Sequence, residues 1–384
     1  MTHQGSATGV RIAVSHAGRA VEAVAEIAAA IEPAGLCFLL VFPHDGLDPT
    51  ALATALTERF PSVPVFGCTT AGQITPAGYE AGALLVIAFP RAHFHCASLL
   101  IQPLAPLSIE AIAMEARRLE AQFRRTAGWK RLALTFTDGL SKQEDLLAAI
   151  LTAALPDMPV FGGSAGDGGA FRATQVLHGG RFHDSAALLL ILETDHDFVG
   201  LGFDHFLPTD KRMVVTDAIP EERIVRELNG APAAQEYARL VGCPVEALSP
   251  RVFAENPVLV RTNALYHVRA IGSVRDDLSL AFLSAIDDGL VLTLGRGTEI
   301  LRTLEDGLAV RNAAGHPPDL ILGFDCYLRR LEIEEKQMTG AASEIIARAG
   351  MVGFNTYGEQ HCGVHVNQTF VGVAFFPPGE RALH

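Results

Sequence analysis

The chain writes one octapeptide twice, 95 residues apart, and a degraded third copy follows near its end. Phe60-Pro61-Ser62-Val63-Pro64-Val65-Phe66-Gly67 matches Leu155-Pro156-Asp157-Met158-Pro159-Val160-Phe161-Gly162 at five of eight positions. Each copy follows an apolar, strand-like run and a helical segment: 36–42 then 49–60, and 132–136 then 142–155. Each leads into a small-residue turn, Ala71-Gly72-Gln73 or Ala165-Gly166-Asp167, and then another apolar run, 82–89 or 186–192. The third copy is the run 320–324, a helical stretch through Gly350, the segment 351–359 and the run 370–376. Self-similarity on this scale constrains architecture before single residues do. It predicts an α/β fold of β-α-β-turn-β units, with three similar polar turns at comparable strand ends. Ligands of α/β sheets settle in such places.

A chain of 384 residues exceeds one ordinary core, so two mixed α/β domains are expected. The pattern changes after Leu192 and places the boundary at 205–225, giving domains 8–220 and 221–380. The first holds two repeat units, and the second holds one unit plus a strand-rich insert. Strands are expected at 10–14, 200–206 and 213–215, the last two around the turn Leu207-Pro208-Thr209-Asp210. Helices are expected at 20–31, 108–124 (with Ser108 as N-cap), 221–228, 233–240 and 299–308. The runs 264–271, 278–285 and 290–294 read as a meander.

A net charge of −13, with no basic patch, excludes a nucleic-acid partner. The longest apolar runs are strand length, and Met1-Thr2-His3-Gln4-Gly5-Ser6 lacks the marks of a signal peptide. Six cysteines without a C-x-x-C pattern fit a reduced compartment. The expectation is a cytoplasmic protein that does not insert in membranes, and a homodimer is left open.

Several residue groups carry possible chemistry. Gly162-Gly163-Ser164-Ala165-Gly166 is formally G-x-S-x-G, but a nucleophile elbow needs a helix next, and Asp167-Gly168-Gly169 is loop. A serine hydrolase at Ser164 is therefore the least favoured reading, and a non-enzyme is expected. The glycine-rich turns lack the lysine of a phosphate loop. His93 and His95 alternate beside Cys96, and His361 and His365 flank Cys362-Gly363; either spacing suits a transition metal. His205 lies between Phe203 and Phe206, the setting of a core histidine and also of a haem-iron ligand. Without C-x-x-C-H any haem would be held non-covalently, and Cys243-Pro244 offers a thiolate alternative. The third turn is the richest in polar groups: Asn355, Thr356, Tyr357 and Glu359, then His365, Asn367, Gln368 and Thr369. Turn backbone needs fewer, so Asn355, Thr356, Tyr357, Glu359, Asn367 and Thr369 are candidate ligand contacts. They would border a cavity reaching toward His205.

The chain resembles the FIST family of sensory proteins, with an N-terminal and a C-terminal FIST domain. The resemblance rests on Val65-Phe66-Gly67-Cys68-Thr69-Thr70-Ala71-Gly72, on Phe161–Asp167 with Gly179-Gly180-Arg181, and on Tyr357-Gly358-Glu359 with His365-Val366-Asn367-Gln368-Thr369. Within it the chain is most similar to the haem-containing nitric-oxide sensors (NosP). That rests on His205-Phe206-Leu207-Pro208-Thr209-Asp210-Lys211, on Gly323-Phe324-Asp325-Cys326 with Arg329-Arg330, and on 353–360. This implies haem b with nitric oxide as the gas ligand; it does not carry over the iron ligand, for which the residues themselves make His205, flanked by Phe203 and Phe206, the first choice and His365 the second. It also implies output through a partner histidine kinase or cyclic-di-GMP enzyme. The family equally covers metal-free sensors of amino-acid-like metabolites, which is the alternative.

Overall fold

The computed structural model describes residues 8–262, 265–361 and 363–377. Cys362, residue 264 of the expected meander, the segment Met1–Ser6 and the end of the 221–380 domain lie outside the described residues. The fold is mixed α/β, and its three repeat units each found one six-stranded sheet. Each unit supplies an outer strand, a returning strand, a central strand and a parallel partner. These are Arg11–Ser15, Leu84–Pro90, Leu36–Phe42 and Val65–Cys68 in the first unit. In the second they are Phe94–Ile101, Ala187–Thr194, Lys130–Thr137 and Val160–Ser164. In the third they are Asp197–Phe203, Phe370–Phe376, Leu320–Cys326 and Met351–Thr356.

Central strand and partner run parallel in all three, because a helical crossover separates them. The crossovers are Pro49–Arg59, Glu144–Ala154, and the pair Tyr327–Glu335 and Thr339–Ala349. Glycine recurs at one register position for a steric reason. A side chain at Gly67, Gly162 or Gly353 would run into the carbonyl oxygen of Val41, Thr135 or Gly323 on the central strand.

The last two strands of every sheet come from another unit. The first unit's hairpin, Gln73–Thr75 with Gly78–Glu80, extends the third unit's sheet. The second unit's hairpin, Val176–His178 with Arg181–His183, extends the first. The third unit's hairpin, Glu359–His361 with Val364–Val366, extends the second. The exchange closes in a ring, and the inner faces meet in one phenylalanine-rich core that includes Phe42, Phe136, Phe324 and Phe354. Asp197–Phe203 pairs with Phe370–Phe376, so residues on both sides of position 220 share a sheet.

Residues 206–297 form a separate lobe inserted before the helix Ile300–Leu308, with its own core around Met213, Tyr237, Phe253 and Leu292. Two expectations fail here. The turn 207–210 lies inside one long strand, Phe206–Ile219, whose register shifts between Pro208 and Arg212; proline tolerates such an irregularity. The helix expected at 221–228 is a short 3₁₀ turn, Pro220–Glu222, followed by the strand Ile224–Leu228. Arg223 at φ +57° ends the turn, and the β-branched pair Ile224-Val225 joins Leu280 and Ala281. The helix Ile109–Gln122 follows Ser108, whose hydroxyl makes no capping bond. No helix among the described residues is long and apolar enough to cross a membrane.

Candidate functional site

The exchange of hairpins brings the three polar turns together. Ala71 N–H donates to the Asn355 carbonyl (2.9 Å), Gly166 N–H to that of Thr69 (3.0 Å) and Tyr357 N–H to that of Ser164 (3.2 Å). Every turn thus donates to a different unit, in the same cyclic order as the hairpins. The contact is close enough that a side chain on Gly166 would strike the Ala71 backbone.

The third turn binds its neighbours through side chains. Asn355 Oδ1 accepts from Arg330 Nη1 (3.0 Å), and its Nδ2 donates to the Asp325 carbonyl (3.3 Å). Tyr357 donates its hydroxyl to Asp167 and accepts backbone N–H bonds from Gly169 (3.0 Å), Asp167 and Phe171 (both 3.4 Å). Burial alone would raise the Asp167 carboxyl, but Tyr357 and the N–H groups of Ala173, Arg172 and Phe171 hold it below the ordinary range. Thr356 donates to Glu359, and Thr369 N–H does so at 3.3 Å. Complete burial drives the Glu359 carboxyl well above its ordinary value; the Thr356 bond opposes this and the Asp325 charge adds to it. Asn367 donates to the Tyr357 carbonyl (3.3 Å), and Thr369 donates to that of Asn367 (2.9 Å). Thr356, Glu359, Asn367 and Thr369 are thus bonded among the candidate residues, whereas the Asn355 and Tyr357 side chains reach outside them.

His205 sits in a buried ionic network. Its Nδ1 accepts from Arg329 Nη1 (3.1 Å), and its Nε2 donates to Glu332 (3.0 Å). Burial lowers the imidazole below its ordinary value, and the Glu332 bond opposes this. Arg329 also donates to Asp325 (2.8 Å), which accepts the Tyr79 hydroxyl from the first unit's hairpin. Phe206 lies against the His205 ring, while Phe203 stacks on Phe370 under the Arg329 guanidinium. An iron ligand needs a ring nitrogen with a free lone pair, so His205 in this arrangement does not fit that role. His365 is fully buried and both its nitrogens lack partners, but its ring presses against Gly358, where even a methyl would collide. Among the described residues, none bonded to His205 is also bonded to His365.

Around His365 lies the joint between ring and lobe. Glu144, Asp145 and His365 place donor atoms within 4.8 Å of one another. Arg223 from the lobe donates to Glu144 (2.6 Å) and Asp145 (2.9 Å). Arg269 donates to the His365 carbonyl (2.8 Å), and Ala285 N–H to Asp145 (3.0 Å).

Beside this joint, ring and lobe enclose a cleft of about 360 Å³. Phe253, Ala254 and Ile271 line it from the lobe; Phe171, Tyr327 and Gln368 line it from the ring. It opens at the carboxyl ends of Val160–Ser164 and Leu320–Cys326, where α/β sheets hold ligands. Phe171 (φ +54°) and Gln368 (φ +48°) both occupy the left-handed region rare for residues with side chains. Phe171 stacks on Tyr357 at 4.1 Å. Gln368 Nε2 donates to the Ala254 carbonyl (3.0 Å), and its Oε1 is buried without a partner. Of the segment 355–369, Gln368 is the residue that borders the cleft.

Ser164 is wholly buried and accepts from Gln360 Nε2 (3.1 Å). His93 and His95 part company: His93 meets Asp195 (3.2 Å), and His95 stacks on Trp129. Cys243 follows the helix Ala233–Val241, donating its N–H to Ala238. Sequence reasoning overlooked Arg223, Arg269, Asp145, Glu332 and Tyr327. Glu332 alone of these carried a local signal, its i, i+4 spacing to Lys336 on the helix face.

These features define a protein of three interlocked α/β repeats with an inserted lobe and a ligand-sized cleft at their joint. A family model described as the FIST N domain matches residues 36–231, and one described as the FIST C domain matches 233–362. The chain belongs to the FIST family, whose domains are sensory modules of signal transduction. No curated protein matches it.

Proposed function

We propose that this chain senses a small, mostly apolar molecule carrying a hydrogen-bond donor, held in the cleft between ring and lobe. Gln368 carries the reading. It is bent into a costly backbone region at the cleft wall, and its buried carbonyl oxygen lacks a donor. An ammonium, amide or hydroxyl group would satisfy it, while Phe171, Phe253 and Ile271 cover the apolar body. An amino-acid-like metabolite meets this description. Because the cleft has one wall on each body, the ligand favours one ring–lobe arrangement over another, which a partner kinase or cyclic-di-GMP enzyme reads as a population shift.

Calorimetric titration of apolar amino acids and amines, preceded by a melting-temperature screen, tests this. Leu331→Trp fills the cleft and is expected to abolish binding, and Gln368→Leu to weaken it about tenfold. A hit that survives Leu331→Trp would refute the placement. The haem-based nitric-oxide reading requires Arg329 to release His205 Nδ1, while the Nε2–H bond to Glu332 is compatible with iron ligation. A Soret band on reconstitution that disappears in His205→Ala would replace the present proposal.

A further inference from the structure

At the pole opposite the three polar turns, two connections between units touch. Pro90 pairs with Leu36 and Thr194 with Lys130, so the turns that follow them lie at the amino ends of the central strands. His93 comes from the connection between the first and second units, and Asp195 and His196 come from that between the second and third. His93 Nδ1 is 3.2 Å from both Asp195 oxygens, and His196 Nδ1 is 2.8 Å from Asp195 Oδ1. One donor atom from each lies within 4.8 Å of the others. Four ligands at about 2.0–2.1 Å around a tetrahedral ion stand roughly 3.3 Å apart, so the donors already have nearly the required spacing.

Charge separates this cluster from the one at Glu144, Asp145 and His365. There Arg223 and Arg269 already balance the two carboxylates, so a cation would enter a neutralised site. Here no lysine or arginine is bonded to His93, Asp195 or His196 among the described residues. Moreover, the Asp319 carboxylate adds negative charge near His196. The His196 side chain is wholly buried, Asp195 is 18 % exposed and His93 is 32 % exposed, so the site has a rigid floor and an entry path.

We propose that His93, Asp195 and His196 bind one divalent first-row transition ion of the zinc class, with the remaining position open to water. Two imidazoles and one carboxylate match the hardness of such ions and not that of calcium or magnesium. The ion ties together the two connections on which the order of the three units depends.

The test uses the full chain stripped with chelator and titrated with Zn²⁺ by calorimetry and with Co²⁺ by visible absorption. One high-affinity equivalent is expected, with a raised melting temperature and a Co²⁺ d–d band of nitrogen–oxygen coordination. His93→Gln and Asp195→Asn each should weaken binding by at least ~100-fold, more than the loss typical of an outer partner. His95→Gln should leave it unchanged. His93 is partly exposed, and circular dichroism of His93→Gln checks that loss of metal is not loss of fold. Failure of the wild-type chain to take up either ion would overturn the proposal, as would equal uptake by His93→Gln and Asp195→Asn.

Discussion

At Gly67, Gly162 and Gly353 the missing side chain lets a parallel strand approach its neighbour's carbonyl oxygen. Gly162→Ala should therefore cost about 2–3 kcal/mol by overpacking, read as a lower urea midpoint with an unchanged slope. A loss under a few tenths of that size would mean the strand pair yields. Glu359 makes a different prediction. Burial raises its carboxyl well above the ordinary range, so the fold keeps a proton to higher pH than the unfolded chain, which releases it above about pH 4.3. Its stabilising contribution is complete below that pH and falls as pH rises toward its raised folded value. Glu359→Gln keeps the shape and removes the proton exchange, so wild type and variant should match near pH 4 and diverge toward pH 8, with the variant more stable. Parallel stability curves from urea melts across that range would show Glu359 to be ionised in the fold.

At the level of elements, the turn after each repeat owes its order to a neighbouring unit. Tyr357 is the clearest case, since its hydroxyl collects three N–H groups from the loop 167–171. Tyr357→Phe leaves the Asp167 and Gly169 N–H groups without that acceptor, at a cost of about 1–3 kcal/mol, while Phe171 keeps its 2.8 Å bond to the Asp167 carboxylate. Gly169 should then exchange amide hydrogen faster, and ligand affinity should fall because Phe171, which stacks on Tyr357, lines the cleft. Unchanged exchange at Gly169 would remove Tyr357 from the description. This dependence also explains what the sequence made legible. The strands and helices of the repeat could be read because apolar periodicity and the Pro-Val-Phe-Gly string are local. The hairpin exchange could not, because nothing in Gln73–Thr75 names Met351–Thr356 as its partner. Asn355, Tyr357 and Glu359 stood out as polar groups beyond a turn's needs, yet their partners, Arg330, Asp167 and Thr369, are set by tertiary packing. Strand 224–228 was misread because Glu221-Glu222 suggests a helix start, while the ladder with Leu280 and Ala281 decides the outcome.

For the whole molecule, the decisive question is how the lobe is coupled to the ring. Arg223 is 5 % exposed and bridges Glu144 and Asp145 at the start of the helix Glu144–Ala154, while its Nη1 donates to the Leu283 carbonyl within the lobe. Attraction between such buried groups outweighs desolvation only while both partners are present. Arg223→Met strands the Glu144 carboxylate and should destabilise the protein by about 3–5 kcal/mol. Because the lobe has its own apolar core, the loss should fall on the joint, and calorimetry should resolve two unfolding transitions in place of one. Glu144→Gln in the same chain removes the stranded charge and should restore much of the stability without restoring the coupling. Ligand then discriminates mechanism from mere damage: in the double variant it should still bind, more weakly, but no longer raise both transitions together. If both still shift as one, the coupling runs through other contacts at the joint, such as Arg269 to His365, and not through Arg223.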